Sequence, residues 1–247
     1  MTTPFDLSGK HLLITGASSG IGRATAVLCA ALGAKLTING RNTDRLNQTL
    51  QSLDGEGHSV MCCDLTDYDK TAELVKNIEK LDGAVFCTGT QKTCVAKCLD
   101  RGTVNSLFET NFTATVNLNT LLFENKKINK GASLVFISSI AALGYAEVGN
   151  AAYGATKGAL TAFAKVLALE NVKRKIRVNT VSPAMVRTPL LEKFDVSEEQ
   201  FAENEKKYPL GYGNPEDVAA AVAFLLSDGA KWITGTDLKL DGGLTLQ

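Results

Sequence analysis

The feature that most restricts the fold of this 247-residue chain is a regular alternation of short apolar runs with longer helical patterns. Seven runs are predicted strands: His11–Thr15, Lys35–Asn39, Ser59–Cys63, Gly83–Cys87, Leu134–Ser138, Arg177–Val181 and Asp237–Leu240. The stretches between them include six predicted helices: Ile21–Leu32, Thr43–Leu53, Tyr68–Glu79, Val104–Phe123, Ala155–Leu169 and Pro215–Leu226. Continuous apolar runs indicate strands buried on both faces, and alternation with crossover helices indicates a parallel sheet. The pattern predicts an α/β fold with a doubly wound, parallel seven-stranded sheet and helices on both faces.

The alternation continues along the chain without an internal repeat or a Pro/Gly/Ser-rich linker, so we expect a single domain over residues 1–247. Segment 188–213 interrupts it with a long, charged stretch that lacks a clear period. A long irregular insertion in a compact domain more often serves function than connection, so we predict a substrate lid here. Its larger apolar residues are Leu190, Leu191, Phe194 and Phe201.

A glycine-rich loop, TGASSGIG from Thr15 to Gly22, follows the first predicted strand and opens the first helix. In such a loop Gly16 permits a tight turn, Gly20 lets the backbone approach a pyrophosphate, and Gly22 lets the helix pack closely on the strand. The N–H groups at the helix start would then face the phosphates. The strand–loop–helix context therefore favours a dinucleotide site over an ordinary glycine turn.

The end of the second predicted strand carries information on which dinucleotide is preferred. A site for NAD usually has an Asp or Glu there, which accepts a hydrogen bond from the ribose 2′-OH. This chain instead has Arg41, whose guanidinium suits a 2′-phosphate, although it could also be a solvated residue before a helix. NADP(H) is therefore favoured over NAD(H).

Tyr153 and Lys157 are spaced i, i+4, so both project from one face of a helix. A phenol that titrates near 10 is a poor acid or base at neutral pH. An ammonium about 5 Å away would favour the phenolate by roughly 3 kcal/mol at an effective dielectric near 20. We therefore expect Lys157 to lower the pKa of Tyr153 by about two units. Ser138 and Ser139 end the fifth strand, at the sheet edge where ligands bind in doubly wound folds.

Taken together, these features resemble the short-chain dehydrogenase/reductase family, which has a Rossmann fold, over nearly the whole chain. The resemblance is carried by the Gly16–Gly22 loop, Ser139, Tyr153, Lys157 and the C-terminal segments Thr234-Gly235 and Asp241-Gly242-Gly243. Segments 213–218 and 233–235 are most similar to the 3-oxoacyl-[acyl-carrier-protein] reductase-like members. The resemblance implies hydride transfer between a nicotinamide and a ketone/alcohol pair.

The resemblance also implies roles for single residues. Tyr153 would donate or accept the proton, Lys157 would bind the nicotinamide ribose, and Ser139 would orient the carbonyl. Asn111 would order a proton-relay water. The residues expected to contact the cofactor are Gly16, Ser18, Ser19, Gly20, Ile21, Gly22, Arg41, Asp64, Leu65, Gly89, Tyr153, Lys157, Pro183, Val186 and Thr188.

The chain departs from the family pattern at three places. The fourth strand is followed by Phe86-Cys87-Thr88-Gly89 where the family has Asn-Asn-Ala-Gly, so side chains that satisfy buried backbone groups are lost. The usual Pro-Gly after the sixth strand is Pro183-Ala184, which matters if that position needs positive φ. The segment from Ser139 to Tyr153 is one residue longer than usual, so Ser138 is kept as an alternative for the serine role.

Composition restricts the partners and the compartment. Lys plus Arg and Asp plus Glu both number 26, so the zero net charge argues against nucleic acid or an anionic membrane as a partner. The six cysteines form no metal-ligand pattern, so we expect no metal and a reducing, cytoplasmic compartment. The resemblance implies a homotetramer, or a homodimer, with helices Val104–Phe123 and Ala155–Leu169 at an interface.

Two questions stay open from the sequence. The substrate could be an acyl thioester, a sugar, a steroid or another small ketone, and Tyr145 could reach its pocket. An acidic carrier protein would need basic residues, which 126–130 or 173–175 could supply. The alternatives to an active NADP(H)-dependent oxidoreductase are a nucleotide-binding regulatory protein with weak or lost catalysis and a purely structural domain.

Overall fold

Seven parallel strands form one sheet in the order β3-β2-β1-β4-β5-β6-β7. The computed structural model describes residues 3–191 and 197–246. The strands are β1 (His11–Ile14), β2 (Lys35–Gly40), β3 (Ser59–Cys62), β4 (Leu81–Phe86), β5 (Ile128–Ile137), β6 (Arg177–Pro183) and β7 (Asp237–Leu240). The sequence-based prediction of a doubly wound, parallel seven-stranded sheet is confirmed.

Helices cover both faces of this sheet. They are α1 (Gly20–Ala31), α2 (Thr43–Gln51), α3 (Tyr68–Asn77), α4 (Arg101–Phe108), α5 (Ala114–Glu124), α6 (Ala151–Asn171), α7 (Glu198–Glu205) and α8 (Pro215–Leu226). Helices α1, α2 and α8 bury their apolar residues with one face of the sheet, and α3, α5 and α6 with the other. In the core between the sheet and α3, α5 and α6, Phe86 of β4 stacks on Phe136 of β5 with ring centroids 4.3 Å apart.

Other element ends shift by one to three residues from the sequence-based prediction, and three differences are larger or change the type of an element. Strand β5 begins at Ile128 rather than Leu134. The apolar run did not show this start, because the polar Asn129 and Lys130 follow the buried Ile128. Helix α6 begins four residues earlier than predicted, at Ala151. The predicted helix Val104–Phe123 is interrupted by a π-helical turn, Glu109–Thr113, between α4 and α5. Such turns are frequent at functional sites.

The parallel arrangement decides where a site can form. All the carboxyl ends of the strands meet at one edge, and the strand order reverses between β1 and β4. This reversal opens a crevice above the sheet, which is where doubly wound folds bind their ligands. The predicted lid, 188–213, follows β6 at the same edge and contains α7; residues 192–196, including Phe194, lie outside the described residues.

Two further observations concern membrane-spanning helices and metal ions. Among residues 3–191 and 197–246, no helix combines the length and the apolar character needed to cross a bilayer. The same described residues contain no group of three His, Cys, Asp or Glu side chains placed to hold a metal ion.

Candidate active site

A cleft of about 620 Å³ lies at the carboxyl edge of the sheet. Its walls come from the segments that follow β1, β2, β3, β4, β5 and β6, together with one face of α6. Every residue predicted to contact the cofactor lines this single cleft: Gly16, Ser18, Ser19, Gly20, Ile21, Gly22, Arg41, Asp64, Leu65, Gly89, Tyr153, Lys157, Pro183, Val186 and Thr188.

The start of α1 forms the part of the cleft suited to an anion. Helices α2, α3 and α4 are capped by the side chains of Asn42, Asp67 and Asp100, which accept hydrogen bonds from the first helical turn. Among the described residues, no side chain caps α1 in this way, and its first turn carries no acidic residue. The first N–H groups of α1 and the positive end of its dipole therefore remain available to phosphate oxygens.

Close backbone packing holds this loop in place. Gly16 has φ of +65°, and a Cβ there would lie 3.0 Å from the Cys87 carbonyl oxygen. A Cβ on Gly22 would press on the Gly16 carbonyl group, 2.7 Å from its carbon atom. Glycine is required at 22 for the approach of the helix to the loop, and at 16 for the turn itself.

At the adenosine end, Arg41 and Asp64 contact each other. The Arg41 Nη1 lies 3.2 Å from Asp64 Oδ2, and both side chains are substantially exposed. Asp64 is held in turn by Thr66, whose backbone N–H and hydroxyl both donate to Oδ1. The structure thus adds a fact that the sequence did not supply: the guanidinium predicted to bind a 2′-phosphate already has an acidic neighbour.

Two side chains bind backbone groups of the altered segment after β4 and of Thr90, which follows it. The Thr15 hydroxyl accepts from the N–H groups of Cys87 and Thr88, at 2.9 and 3.2 Å. The buried Asn111 amide accepts from the Thr90 N–H at 2.7 Å and donates back to the Thr90 carbonyl at 2.9 Å. Losing the family asparagines therefore leaves these backbone groups satisfied, because Thr15 and Asn111 take them.

Asn111 lies behind the cleft rather than in its wall. Its second amide hydrogen is directed at the Thr156 hydroxyl of α6, at 3.1 Å. Both side-chain donors are consequently used inside the protein. The predicted role of Asn111 in ordering a relay water stays a prediction, and its observed contacts fix the Thr90 segment against α6.

Tyr153 and Lys157 project from α6 into the cleft, as the i, i+4 spacing predicts. Lys157 Nζ lies 5.8 Å from the centre of the Tyr153 ring and donates to the Ile137 carbonyl at 2.8 Å. Burial raises the pKa of Tyr153 to about 12, with Ser139 lowering it by hydrogen bonding and Cys87 raising it further. The expected two-unit decrease is therefore wrong in direction, because burial is the largest effect on the pKa of the phenol.

Burial acts on Lys157 in the opposite sense. The side chain is 5% exposed, and burial lowers its pKa to about 8, with the neighbouring Cys87 thiol raising it slightly. An ammonium with this pKa is mostly protonated at neutral pH. The cleft therefore contains a protonated phenol beside a mostly charged lysine.

The two candidate serines have different surroundings. The Ser138 hydroxyl is buried, donates to the Lys157 carbonyl at 3.2 Å and contacts the Thr161 hydroxyl at 2.8 Å. Ser139 accepts from the Ala141 N–H at 3.3 Å and hydrogen bonds to Tyr153. Only Ser139 meets the phenol, so the longer Ser139–Tyr153 segment does not move it away from the site.

The departure at Pro183-Ala184 introduces no backbone strain. Outside glycine, positive φ occurs among the described residues only at Lys126 and Lys175, so Ala184 tolerates its position.

Sequence reasoning missed two residues of the site, Thr15 and Thr88. The Thr88 hydroxyl lines the cleft region and, within the described part of the chain, is buried without a hydrogen-bond partner. A hydroxyl directly before the glycine loop is the one signal that could have identified Thr15.

Comparison with known proteins agrees with this geometry. A family model described as enoyl-(acyl carrier protein) reductase matches residues 16–245. The chain is 36% identical over 242 residues to the 3-oxoacyl-[acyl-carrier-protein] reductase FabG of Rickettsia conorii, covering 98% of this chain and 99% of that protein. It is 34% identical to a tropinone reductase homolog of Arabidopsis thaliana, covering 98% and 92%.

Solved structures give the same result. A short-chain type dehydrogenase/reductase from Mycobacterium ulcerans superposes with a TM-score of 0.88 at 31% identity, covering 98% of this chain and 92% of the other. One from Mycobacterium marinum gives 0.87 at 28% identity, covering 98% of both chains. The fold and the cleft define a nicotinamide-dependent oxidoreductase. The chain belongs to the short-chain dehydrogenase/reductase family.

Replacing Gly22 with alanine tests the close packing of the phosphate-binding loop. We expect Gly22→Ala to destabilise the protein by about 1–3 kcal/mol through overpacking. For a chain of this size, each kcal/mol lowers Tm by roughly 2–4 °C, measurable by scanning calorimetry.

The matched control is Gly158→Ala on α6. A Cβ there meets no atom of the described residues within 4 Å beyond its own helix. This variant should gain roughly 0.5–1 kcal/mol from helix propensity. Equal Tm values for the two variants would contradict the packing argument.

Proposed function

We propose that this protein reduces a ketone to an alcohol, or catalyses the reverse oxidation, with NADP(H) and with Tyr153, Lys157 and Ser139 as the acid/base group. The observation that supports this most directly is that Tyr153 and Lys157 line the dinucleotide cleft while Ser139 hydrogen bonds to the Tyr153 phenol. The substrate is a small-molecule ketone or, as the name of the Rickettsia relative suggests, an acyl thioester.

The residues around the cleft fit a dinucleotide. The uncapped start of α1 suits the pyrophosphate, and Thr88, whose buried hydroxyl has no partner among the described residues, belongs to the cleft wall. Thr188, whose side chain lies 3.2 Å from a Cβ built on Gly20, is proposed to contact the carboxamide. A bound reduced nicotinamide would supply a hydride, with its electron pair, to the carbonyl carbon.

The proton follows a separate route through the chain's own residues. Because the pKa of Tyr153 is about 12, its phenol is protonated at neutral pH and can donate to the carbonyl oxygen. Ser139 holds that oxygen beside the phenol. Lys157 stabilises the tyrosinate left behind, and a proton from solvent, relayed past Asn111, restores the phenol. One hydride and one proton together convert C=O to CH–OH.

Removal of the Tyr153 hydroxyl tests this assignment. We expect Tyr153→Phe to lower kcat by about 10²–10⁴, the usual contribution of a positioned acid, with little change in Tm. Turnover would be followed by nucleotide absorbance with a simple diketone.

Tyr68→Phe, at the exposed start of α3, is the matched control and should keep full activity. If the two variants were equally active, Tyr153 could not be the acid.

The preference for NADP(H) rests on Arg41, which directly follows the last residue of β2, Gly40, where a site for NAD usually has an acidic residue. Replacing Arg41 with alanine should weaken NADPH binding about 10–100-fold, the equivalent of one charge-assisted hydrogen bond, and leave NADH binding within about twofold. The affinities would be measured from the fluorescence of the bound nucleotides.

Asp64→Asn serves as the control, because it keeps the guanidinium and removes only its acidic neighbour. NADPH should remain the preferred nucleotide in that variant. Equal losses for both nucleotides in Arg41→Ala would instead assign Arg41 a role in adenosine binding generally.

We also propose a homotetramer, or a homodimer, in a reducing cytoplasmic compartment. All six cysteines are free thiols, which suits such a compartment. Helix α6 and the turn after it expose Val166, Leu169 and Val172 at 56%, 78% and 52%. An apolar strip of this kind favours a subunit contact through α6 and α5.

A charge placed on this strip should break the assembly. The double variant Val166→Glu/Leu169→Glu is expected to sediment as a smaller species than the wild type at micromolar concentration. Tyr68→Glu, at the exposed start of α3, is expected to sediment as the wild type does. A monomeric wild type would contradict the proposed assembly.

A further inference from the structure

A second cavity, of about 270 Å³, adjoins the active-site cleft. The two share Gln91, Ala184 and Met185 in their walls. The chain neighbours of Ser139 line them too, Ser138 the first and Ile140 the second. A substrate whose carbonyl is held by Ser139 and Tyr153 would extend into this second cavity. At the lower limit of ordinary small-molecule pockets, it admits a compact substrate.

Aromatic rings form much of its wall. Tyr208 and Tyr212 are buried, and their ring centroids lie 4.8 Å apart in a T-shaped pair. Phe201 packs edge-on against Tyr212 at 4.7 Å, and Tyr145 packs against the same cluster. The faces of such rings carry partial negative charge and attract cations.

The charge of the cavity has one sign. Glu147 is the only charged residue among the described residues that line it. Its carboxylate accepts a hydrogen bond from Asn150 at 2.7 Å and has no salt bridge within the described ranges. Burial raises the pKa values of Tyr208 and Tyr212, and the Glu147 charge raises both further, so the carboxylate acts on this cluster.

A cation that contacts the aromatic cluster, Arg187, is already paired with an acidic residue. Arg187 lies over the rings of Phe201 and Tyr212, 5.6 and 5.5 Å from their centres, and does not line the cavity. It pairs with Glu205 at 2.6 Å. The cavity therefore retains one uncompensated negative charge, that of Glu147.

Most amides of the wall are engaged within the protein. Gln91 donates to Asn150 at 2.7 Å, and Asn204 donates to the Tyr212 hydroxyl at 2.8 Å. The Gln200 amide oxygen accepts from Ser197 at the start of α7. These bonds leave few donors for the hydroxyls of a sugar, and no basic group among the described wall residues is present for a phosphate or carboxylate.

The basic clusters considered for a carrier protein lie elsewhere. Residues 126–130 precede or begin β5, and 173–175 precede β6, so both stand at the amino edge of the sheet, opposite the cleft. Lys127 and Arg174 are also hydrogen bonded to backbone carbonyls there. A carrier protein docked on either cluster would not present its thioester to Tyr153.

We propose that this second cavity selects a compact ketone carrying a positively charged amine, held by the aromatic rings with Glu147 as its counter-ion. The inference rests on the proposed reductase function, since it names the substrate class of the same site.

The test compares three ring ketones of similar size with NADPH as reductant. They are the cation 1,1-dimethyl-4-oxopiperidinium, its uncharged counterpart 4,4-dimethylcyclohexanone, and the anion 4-oxocyclohexanecarboxylate. We expect kcat/KM for the cation to exceed that of the uncharged ketone on the order of tenfold, and the anion to be the poorest substrate.

Glu147→Gln keeps an acceptor for Asn150 and removes the charge, so it should abolish the preference for the cation while leaving the uncharged ketone unaffected. Glu124→Gln, at the exposed end of α5, removes one charge far from the cavity and should keep the preference. Equal kcat/KM values for the cation and the uncharged ketone, or a preference for the anion, would overturn the inference and leave the reductase function intact.

A binding measurement separates the two proposals if no ketone is reduced. The unreactive cation 1,1-dimethylpiperidinium would be titrated calorimetrically into the wild type and Glu147→Gln. Binding that depends on Glu147, without any turnover, supports the cavity assignment and contradicts the reductase function. Absence of binding to the wild type overturns the cavity assignment.

Discussion

The active site depends on one buried hydrogen bond, from Lys157 Nζ to the Ile137 carbonyl. An ammonium with 5% exposure is costly unless it has partners, and the free carbonyl at the end of a parallel strand provides one. The bond ties α6 to the end of β5. It therefore sets the position of Tyr153, one turn earlier on the same helix, relative to Ser139, two residues beyond Ile137. The sheet edge and the helix face form one site because of this contact.

Much of the fold could be predicted because parallel strands that are buried on both faces have continuous apolar sequences. The start of β5 was missed where Asn129 and Lys130 break such a run. The π-helical turn around Asn111 had no sequence signal, since one extra residue in a helical turn does not change composition. Hydrophobic patterns in the sequence predict which face of an element is buried more reliably than they predict its first residue.

For the candidate site, the positions of the residues could be predicted but their electrostatics could not. The residue types and their order placed the cofactor-contacting residues along one edge, because parallel strands bring their carboxyl ends together. Electrostatics could not be obtained this way. The pKa of Tyr153 depends on how deeply α6 is buried, and the contact of Arg41 with Asp64 depends on how β2 and β3 lie side by side. Both are properties of packing over long sequence distances.

The hydroxyl of Thr15 has a consequence for how this sequence can change. It binds the backbone N–H groups of residues 87 and 88, and backbone groups are the same whatever side chains stand there. The loop after β4 is thereby released from the need for asparagine. The side chains of this loop can therefore change without a change in its backbone conformation. Position 15 is restricted instead, because loss of its hydroxyl would be tolerated only if an amide side chain returned to the loop.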